Sequence, residues 1–309
     1  MLLSAFFIVV PIFVLIGLGY GVARTSLVSA SAGAGLSEFV FVLAIPALLF
    51  RTVAGSKFPD LNPAPYWIAY FVGLATCWVL ASFVAGRMGR SAREAALIGF
   101  SAAQSNTVLV GIPLILGTLG EAGTVPIILL LVIHSPITMT AVALLIARDE
   151  AGKGAGLKLL RAILTNPILL SIGIGLLWRQ LGIPISEVMR SVLKYLGDTA
   201  APCALIAMGM SMTQASLSGN KRLIGVIAAL KLVLHPVLVY VFAVRIFQLP
   251  PAFAGAAILF AACPTGINAF LLAERYRSGE SVTSGAITLT TLLAIFTLTI
   301  AVSVAMGLK

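Results

Sequence analysis

Two stretches of the chain set hydrogen-bonding residues and proline inside otherwise apolar runs. The first, Ser101-Ala-Ala-Gln-Ser-Asn-Thr-Val-Leu-Val-Gly-Ile-Pro113, carries Gln104, Ser105, Asn106, Thr107, Gly111 and Pro113. The second, Phe260-Ala-Ala-Cys-Pro264-Thr-Gly-Ile-Asn268, carries Pro264, Thr265 and Asn268. A proline offers no N–H to the carbonyl four residues back, so Pro113 is expected to free that of Leu109 and Pro264 that of Phe260. Asn268 lies one turn beyond Pro264, on the same face. Inside a bilayer such freed groups are tolerated only where they are buried in protein or line a water-filled cavity. The chemistry on offer is non-covalent. Amides and hydroxyls donate hydrogen bonds, and the N-termini of half-helices carry partial positive charge, which together suit an anion. Either kink alone fits a plain bent helix whose Asn and Thr satisfy each other. Two interrupted apolar helices, one in each half of the chain, point instead to a transporter's binding site.

Other polar residues fall at membrane depth, where the default reading is functional. Lys231 and His235 are four apart and share a helical face. Two roles fit: a cation facing an anionic substrate, or a structural pair with Asp198. Asp198 itself, four residues before Pro202, also reads as a coupling carboxylate or a cap at a helix break. His134, in His134-Ser-Pro136, reads first as hydrogen-bonded structure, and Glu38 as a solvated group near a membrane surface. Cys77, Cys203 and Cys263 lie in apolar runs without metal-ligand spacing and read as small buried hydrophobes. No Gly-x-Ser-x-Gly, His-Glu-x-x-His or Walker loop occurs, so no catalytic residue, metal ligand or cofactor is expected.

The elements that must hold these residues follow from composition. Of 309 residues 60% are hydrophobic and 10% charged, with mean hydropathy +1.10, against about 25% charged in soluble domains. Most of the chain belongs in a bilayer. The net charge of +10 comes from Lys and Arg in short connectors between apolar runs, a pattern that orients membrane proteins and does not call for nucleic acid. Ten spans of roughly 20 apolar residues are expected, at 2–23, 34–54, 64–86, 93–116, 122–147, 158–178, 188–212, 221–246, 252–274 and 280–307. No basic residue precedes the first apolar run, so it reads as a retained span and not a signal peptide. The Gly-rich, charged connector 148–158 divides the chain into repeats 1–150 and 151–309. Pro11, Gly17, Gly19 and Pro46 recur as Pro167, Gly173, Gly175 and Pro202, all at an offset of 156, and Gly99 and Gly255 keep it. Five spans per repeat is an odd number, so the second repeat enters from the opposite side. The fold class expected is all-α and polytopic, two inverted five-helix repeats with interrupted helices 4 and 9. Twelve Lys and Arg lie on one side of this arrangement and seven on the other, which places both termini outside the cytoplasm.

At the interrupted spans the residues resemble a known family. Asn106-Thr-Val-Leu-Val-Gly-Ile-Pro-Leu114 resembles the Asn-Thr-…-Gly-Ile-Pro-Leu segment of the auxin efflux carriers, and Cys263-Pro-Thr-Gly-Ile-Asn-Ala-Phe270 their later Pro-x-Gly segment. Ser37–Phe50 is similar to the family's second span and Gly197-Asp-Thr-Ala-Ala-Pro202 to its seventh. The resemblance runs from about residue 5 to the C-terminus, and the short 5/6 connector matches bacterial members. It implies ten spans that cross at the breaks of spans 4 and 9. It also implies a scaffold of spans 1, 2, 6 and 7, past which a transport domain of spans 3, 4, 5, 8, 9 and 10 slides like an elevator. Asn106 would contact a substrate carboxylate, with malonate- or malate-like acids the substrates in bacteria. Tyr66-Trp-Ile-Ala-Tyr-Phe-Val-Gly73 departs from the plant carriers, whose third span holds an Asp/Lys pair. The expected function is secondary transport of small organic anions across the plasma (inner) membrane, bound by Asn106, Thr107, Gly111, Pro113, Pro264, Thr265 and Asn268. The partners are the anion and the bilayer, with room for a homodimer. A sodium-coupled symporter of the bile-acid type and a non-transporting anion receptor are the rival readings.

Overall fold

The computed structural model describes residues 1–55, 62–147, 164–213 and 219–308, and all regular structure there is helical. Helix α1 spans Leu2–Arg24, α2 Ala30–Phe39, α3 Ile45–Gly55, α4 Ala64–Arg87, α5 Ala92–Ala103, α6 Ile112–Leu119 and α7 Thr124–Ala147. Beyond residue 163 come α8 Pro167–Gln180, α9 Glu187–Asp198, α10 Ala200–Ser211, α11 Lys221–Ala229, α12 His235–Tyr240, α13 Pro251–Ala262, α14 Asn268–Arg275 and α15 Glu280–Gly307. Six continuous helical stretches are long and apolar enough to cross a membrane, and this is a multi-pass membrane protein. The remaining expected spans are shorter pieces for identifiable reasons. Spans 93–116 and 252–274 are broken by extended backbone, and 188–212 divides at Thr199. The start of 158–178, the connector 148–158 and the repeat boundary at 150 lie outside the described residues.

Three prolines have the same local consequence. Pro46, Pro113 and Pro236 are each the second residue of a helix that follows a five-residue π turn, at Val40–Ala44, Thr107–Gly111 and Leu230–Leu234. In each, the N–H just before the proline reaches back five residues: Ile45 to Val40, Ile112 to Thr107, His235 to Leu230. A proline ring crowds the carbonyl four residues back and cannot donate to it. Widening one turn relieves both problems without breaking the helix.

Glycine sets the closest helix contacts. A Cβ at Gly19 would lie 2.1 Å from the Ile206 carbonyl oxygen, and one at Gly209 1.9 Å from that of Ile16, so α1 and α10 touch backbone to backbone. Gly175 of α8 meets Val53 and the Phe50 carbonyl of α3 in the same manner. Elsewhere hydrogen bonds tie helices together: the Tyr66 hydroxyl donates to the Pro126 carbonyl at 2.9 Å and the Trp67 indole to that of Leu129 at 3.0 Å, fastening α4 to α7. Such bonds hold well where no water competes.

Gly209→Ala should therefore force α1 and α10 apart, at about 1–3 kcal/mol of overpacking, and lower the unfolding midpoint in detergent. Gly17→Ala, where a Cβ meets nothing within 4 Å, should leave that midpoint unchanged or slightly raised through helix propensity. Equal midpoints for the two variants would show that this contact does not hold the helices.

Candidate functional site

The two interrupted stretches meet. After α5 ends at Ala103 the backbone extends through Gln104–Asn106, and after α13 it extends through Cys263–Thr265. Ser105 and Thr265 pair as an isolated antiparallel bridge. The Asn106 N–H donates to the Pro264 carbonyl and the Gly266 N–H to that of Gln104, both at 2.9 Å. Buried backbone groups with no helix to satisfy them thus satisfy one another. Side chains complete the set. The Thr265 hydroxyl donates to the Ser101 carbonyl at 3.1 Å, the Thr290 hydroxyl accepts from the Thr265 N–H at 3.1 Å, and the Tyr70 hydroxyl reaches Ser105 Oγ at 3.3 Å. Glycine permits the close approach: a Cβ on Gly266 would sit 2.9 Å from the Ser105 carbonyl oxygen, and one on Gly111 2.8 Å from the Phe260 ring.

The break in the first stretch is not where the proline rule put it. It falls at Gln104–Asn106, well before Pro113, because the π turn at Thr107–Gly111 absorbs the proline and α6 takes Pro113 in its first turn. There a missing N–H costs nothing. Pro264, by contrast, lies within its break and lends its carbonyl to the bridge.

Asn106 is 4% exposed. Its Oδ1 accepts from the Leu109 N–H at 3.2 Å and so caps the helix it begins. Its Nδ2 donates to Met208 Sδ of α10 at 3.2 Å, and a thioether is a weak acceptor. Thr107 is buried, and its hydroxyl makes no hydrogen bond among the described residues. Asn268, half-buried, opens α14, which has no side-chain cap. Pro113 lines a cavity of about 360 Å³ that runs from Val108 to Gly117 on one wall and past Ile45, Arg51 and Asp198 on the other. A larger hollow of about 670 Å³, between α4 and α7, is walled by Trp67, Phe71, Trp78 and other apolar side chains. It offers an anion nothing, so we assign the smaller, charged cavity to the site.

Lys231 and His235 are both fully buried, with Lys231 Nζ 3.2 Å from His235 Nδ1. The pairing of Lys231 with Asp198 is not made. Asp198 is half-exposed, and its oxygens face Lys194 at 2.6 Å and Arg51 at 3.6 Å. Lys231 Nζ donates to the Ala261 carbonyl at the end of α13, where a cation also faces the negative end of a helix. A buried backbone carbonyl competed with the acid, and spacing along one helix could not reveal it. Arg51 was counted only as a charge that orients the chain. The signal in the sequence is its place five residues after Pro46, with an Asp four residues before Pro202, the repeat mate of Pro46, as its partner.

Comparison with known proteins bears directly on this crossing. A family model described as a membrane transport protein matches residues 4–302. A protein of Rhizobium meliloti (strain 1021) named "Putative malonate transporter" is 32% identical over 298 residues, covering 94% of this chain and 93% of its own. The chain belongs to the auxin efflux carrier family. A second family relative, an "Uncharacterized transporter" of Methanothermobacter thermautotrophicus (strain Delta H), is 23% identical over 94% of this chain and 95% of its own. Both relatives of this auxin efflux carrier homologue are named as transporters, and the chain is accordingly a membrane transport protein.

Two threonines in this crossing should separate on mutation. Thr265→Val strands the Ser101 carbonyl in a dry core and should cost about 1–3 kcal/mol of stability, read as a lower unfolding midpoint in detergent. Thr107→Val breaks no hydrogen bond among the described residues and should unfold like the wild type. A Thr265→Val protein as stable as the wild type would remove Thr265 from the framework of the bridge.

Proposed function

We propose that the protein is a secondary transporter that moves small carboxylates across the plasma (inner) membrane by alternating access. The observation that carries this reading is Asn106: a nearly fully buried amide beside a backbone bridge, whose NH2 group has, among the described residues, only a thioether to donate to. A carboxylate oxygen is a far better acceptor, so an anion entering there gains a bond that the empty protein makes poorly. The uncapped N-terminus of α14, with Asn268 and Thr265 beside it, adds partial positive charge. Pro113 lines the adjoining cavity, and Thr107, Gly111 and Pro264 are assigned to the site with it. The relative named for malonate supports an acid with two carboxylates. Arg51 in the adjoining cavity is placed to attract such an acid.

The reading extends to architecture. Ten spans in two inverted repeats, 1–150 and 151–309, accord with the repeated offset of 156. They accord also with its packing consequence: Gly19 of the first repeat meets α10, and its mate Gly175 meets α3, the corresponding helix of the other repeat. The helices then fall into a scaffold (α1 to α3 and α8 to α10) and a moving group that holds the bridge. The cavity lies on the seam between them, as an elevator-like step requires. Both termini are assigned to the non-cytoplasmic side on charge.

Purified protein in liposomes should take up labelled malonate, and Asn106→Ser is the informative variant. Serine keeps an oxygen to cap Leu109 but loses the NH2 donor. The loss of a hydrogen bond to a charged group, about 1.5–3 kcal/mol, should weaken binding by one to two decades without lowering the unfolding midpoint. Malonate affinity unchanged in that variant would remove Asn106 from the site.

A further inference from the structure

A second polar cluster, none of whose residues lines the Arg51 cavity, reaches the bridge through Tyr70. Lys231 and His235 come from the widened turn Leu230–Leu234 and the start of α12. The missing side chain of Gly73 makes room for the imidazole, whose Cδ2 would lie 3.0 Å from a Cβ there. The Tyr70 ring stands 5.3 Å from that of His235 and 5.6 Å from that of His134. Lys231, His235 and His134 are all 0% exposed. Both nitrogens of His134, and Nε2 of His235, close no hydrogen bond. An imidazole always carries a donor or an acceptor at each nitrogen, so the cluster keeps polar capacity that the side chains around it leave unused.

We propose that Lys231 and His235 together form a proton-binding site that couples anion movement to protons; this rests on the transport reading above. The ammonium has three N–H groups, and the structure gives it two acceptors, the Ala261 carbonyl and His235 Nδ1. With the lysine charged, Nδ1 accepts and the imidazole holds its own proton on Nε2. With the pair neutral, the amine nitrogen accepts from Nδ1–H instead. Both states fit the same 3.2 Å separation, so the pair gains or loses one proton without moving. The groups facing it are the Cys77 and Tyr70 side chains of α4, His134 of α7 and Cys263 beyond α13. None of these is a carboxylate that would pin the charge.

The pair is wired to both broken strands. Ala261 lies three residues before Pro264, and Tyr70 contacts Ser105 of the other strand. A positive charge there favours an anion at Asn106, and by reciprocity the bound anion favours the charged pair. Each anion loaded then draws in one proton, and the couple crosses the membrane together.

Two measurements in detergent test this, one of which needs no anion. Potentiometric titration should show wild-type protein binding about one proton more between pH 6 and 9 than Lys231→Arg, whose guanidinium keeps the charge but cannot deprotonate in proteins. If the two curves coincide, and those of wild type and His235→Gln coincide as well, the proton site is overturned. Malonate binding is then measured from pH 7 to 9, where the acid is fully ionised. Wild-type affinity should fall by about tenfold per pH unit above the pair's midpoint, as one linked proton requires, with proton uptake on binding. Lys231→Arg should bind with flat pH dependence and no uptake, and His235→Gln should move the midpoint by at least about one unit. The same steep profile in wild type and both variants would overturn the assignment. So would a wild-type protein that binds malonate with no proton uptake. A titration difference without malonate binding at any pH would support the proton site and count against the carboxylate reading alone.

Discussion

The bridge between Ser105 and Thr265 is the contact on which the rest of the molecule depends. Extended backbone at the depth of a membrane is intolerable unless its N–H and C=O groups are matched, and lipid offers no partners. Here two breaks are each other's partners, through the Asn106–Pro264 and Gly266–Gln104 hydrogen bonds. That arrangement brings four helix ends to one place. The C-terminal end of α13 is opposed by the Lys231 ammonium, and the N-terminal end of α6 is preceded by the Asn106 cap. The N-terminus of α14 is left without a side-chain cap. The fourth end, the C-terminus of α5, faces the same place, and the Lys231 ammonium with the two helix N-termini opposes the two C-terminal ends.

Much of this was legible in the sequence because polar residues stand out in apolar runs. Membrane residence followed from composition, and the two breaks followed from Gln, Ser, Asn, Thr and Pro clustered where leucine and valine otherwise prevail. What failed, failed through tertiary context. The proline rule located the first break at Pro113, but a π turn took up the proline and moved the break to Gln104–Asn106. The same rule sees nothing special in Pro46 or Pro236, although each produces an identical turn. Spacing set Lys231 and His235 on one face correctly. It could not show that the nearest acceptor would be a carbonyl of α13 and that Asp198 would face Arg51 and Lys194 instead. Long-range partners are fixed by how helices cross, and a repeat offset reports that only indirectly.

The two groups of helices are held together by different physics. Among α1 to α3 and α8 to α10, glycine allows α1 and α10, and α3 and α8, to approach until dispersion between backbones does the binding. Within the other group, α4 is tied to α7 and to the bridge by the hydroxyls of Tyr66 and Tyr70 and the indole of Trp67. Both schemes resist distortion within each set of helices, since close packing and dry hydrogen bonds each penalise small displacements.

The seam between the groups is softer, and this bears on the proposed cycle. Across it Asn106 meets a methionine sulfur, and the Arg51–Asp198 pair on one wall lies beside Val108, Pro113 and Gly117 on the other. Methionine is unbranched and polarizable, so it re-packs against a moving surface at little cost. A thioether bond is given up more readily than one to an amide or carboxylate. The sliding step of the proposed cycle would thus sacrifice few strong interactions in the empty protein. In that proposed cycle a carboxylate on the Asn106 donors would have its charge balanced by the crossing and travel with it, so it would not be stripped of its counter-charge at the moment of movement. A seam built from strong polar pairs would instead have to break them on every passage through lipid, where no water replaces them.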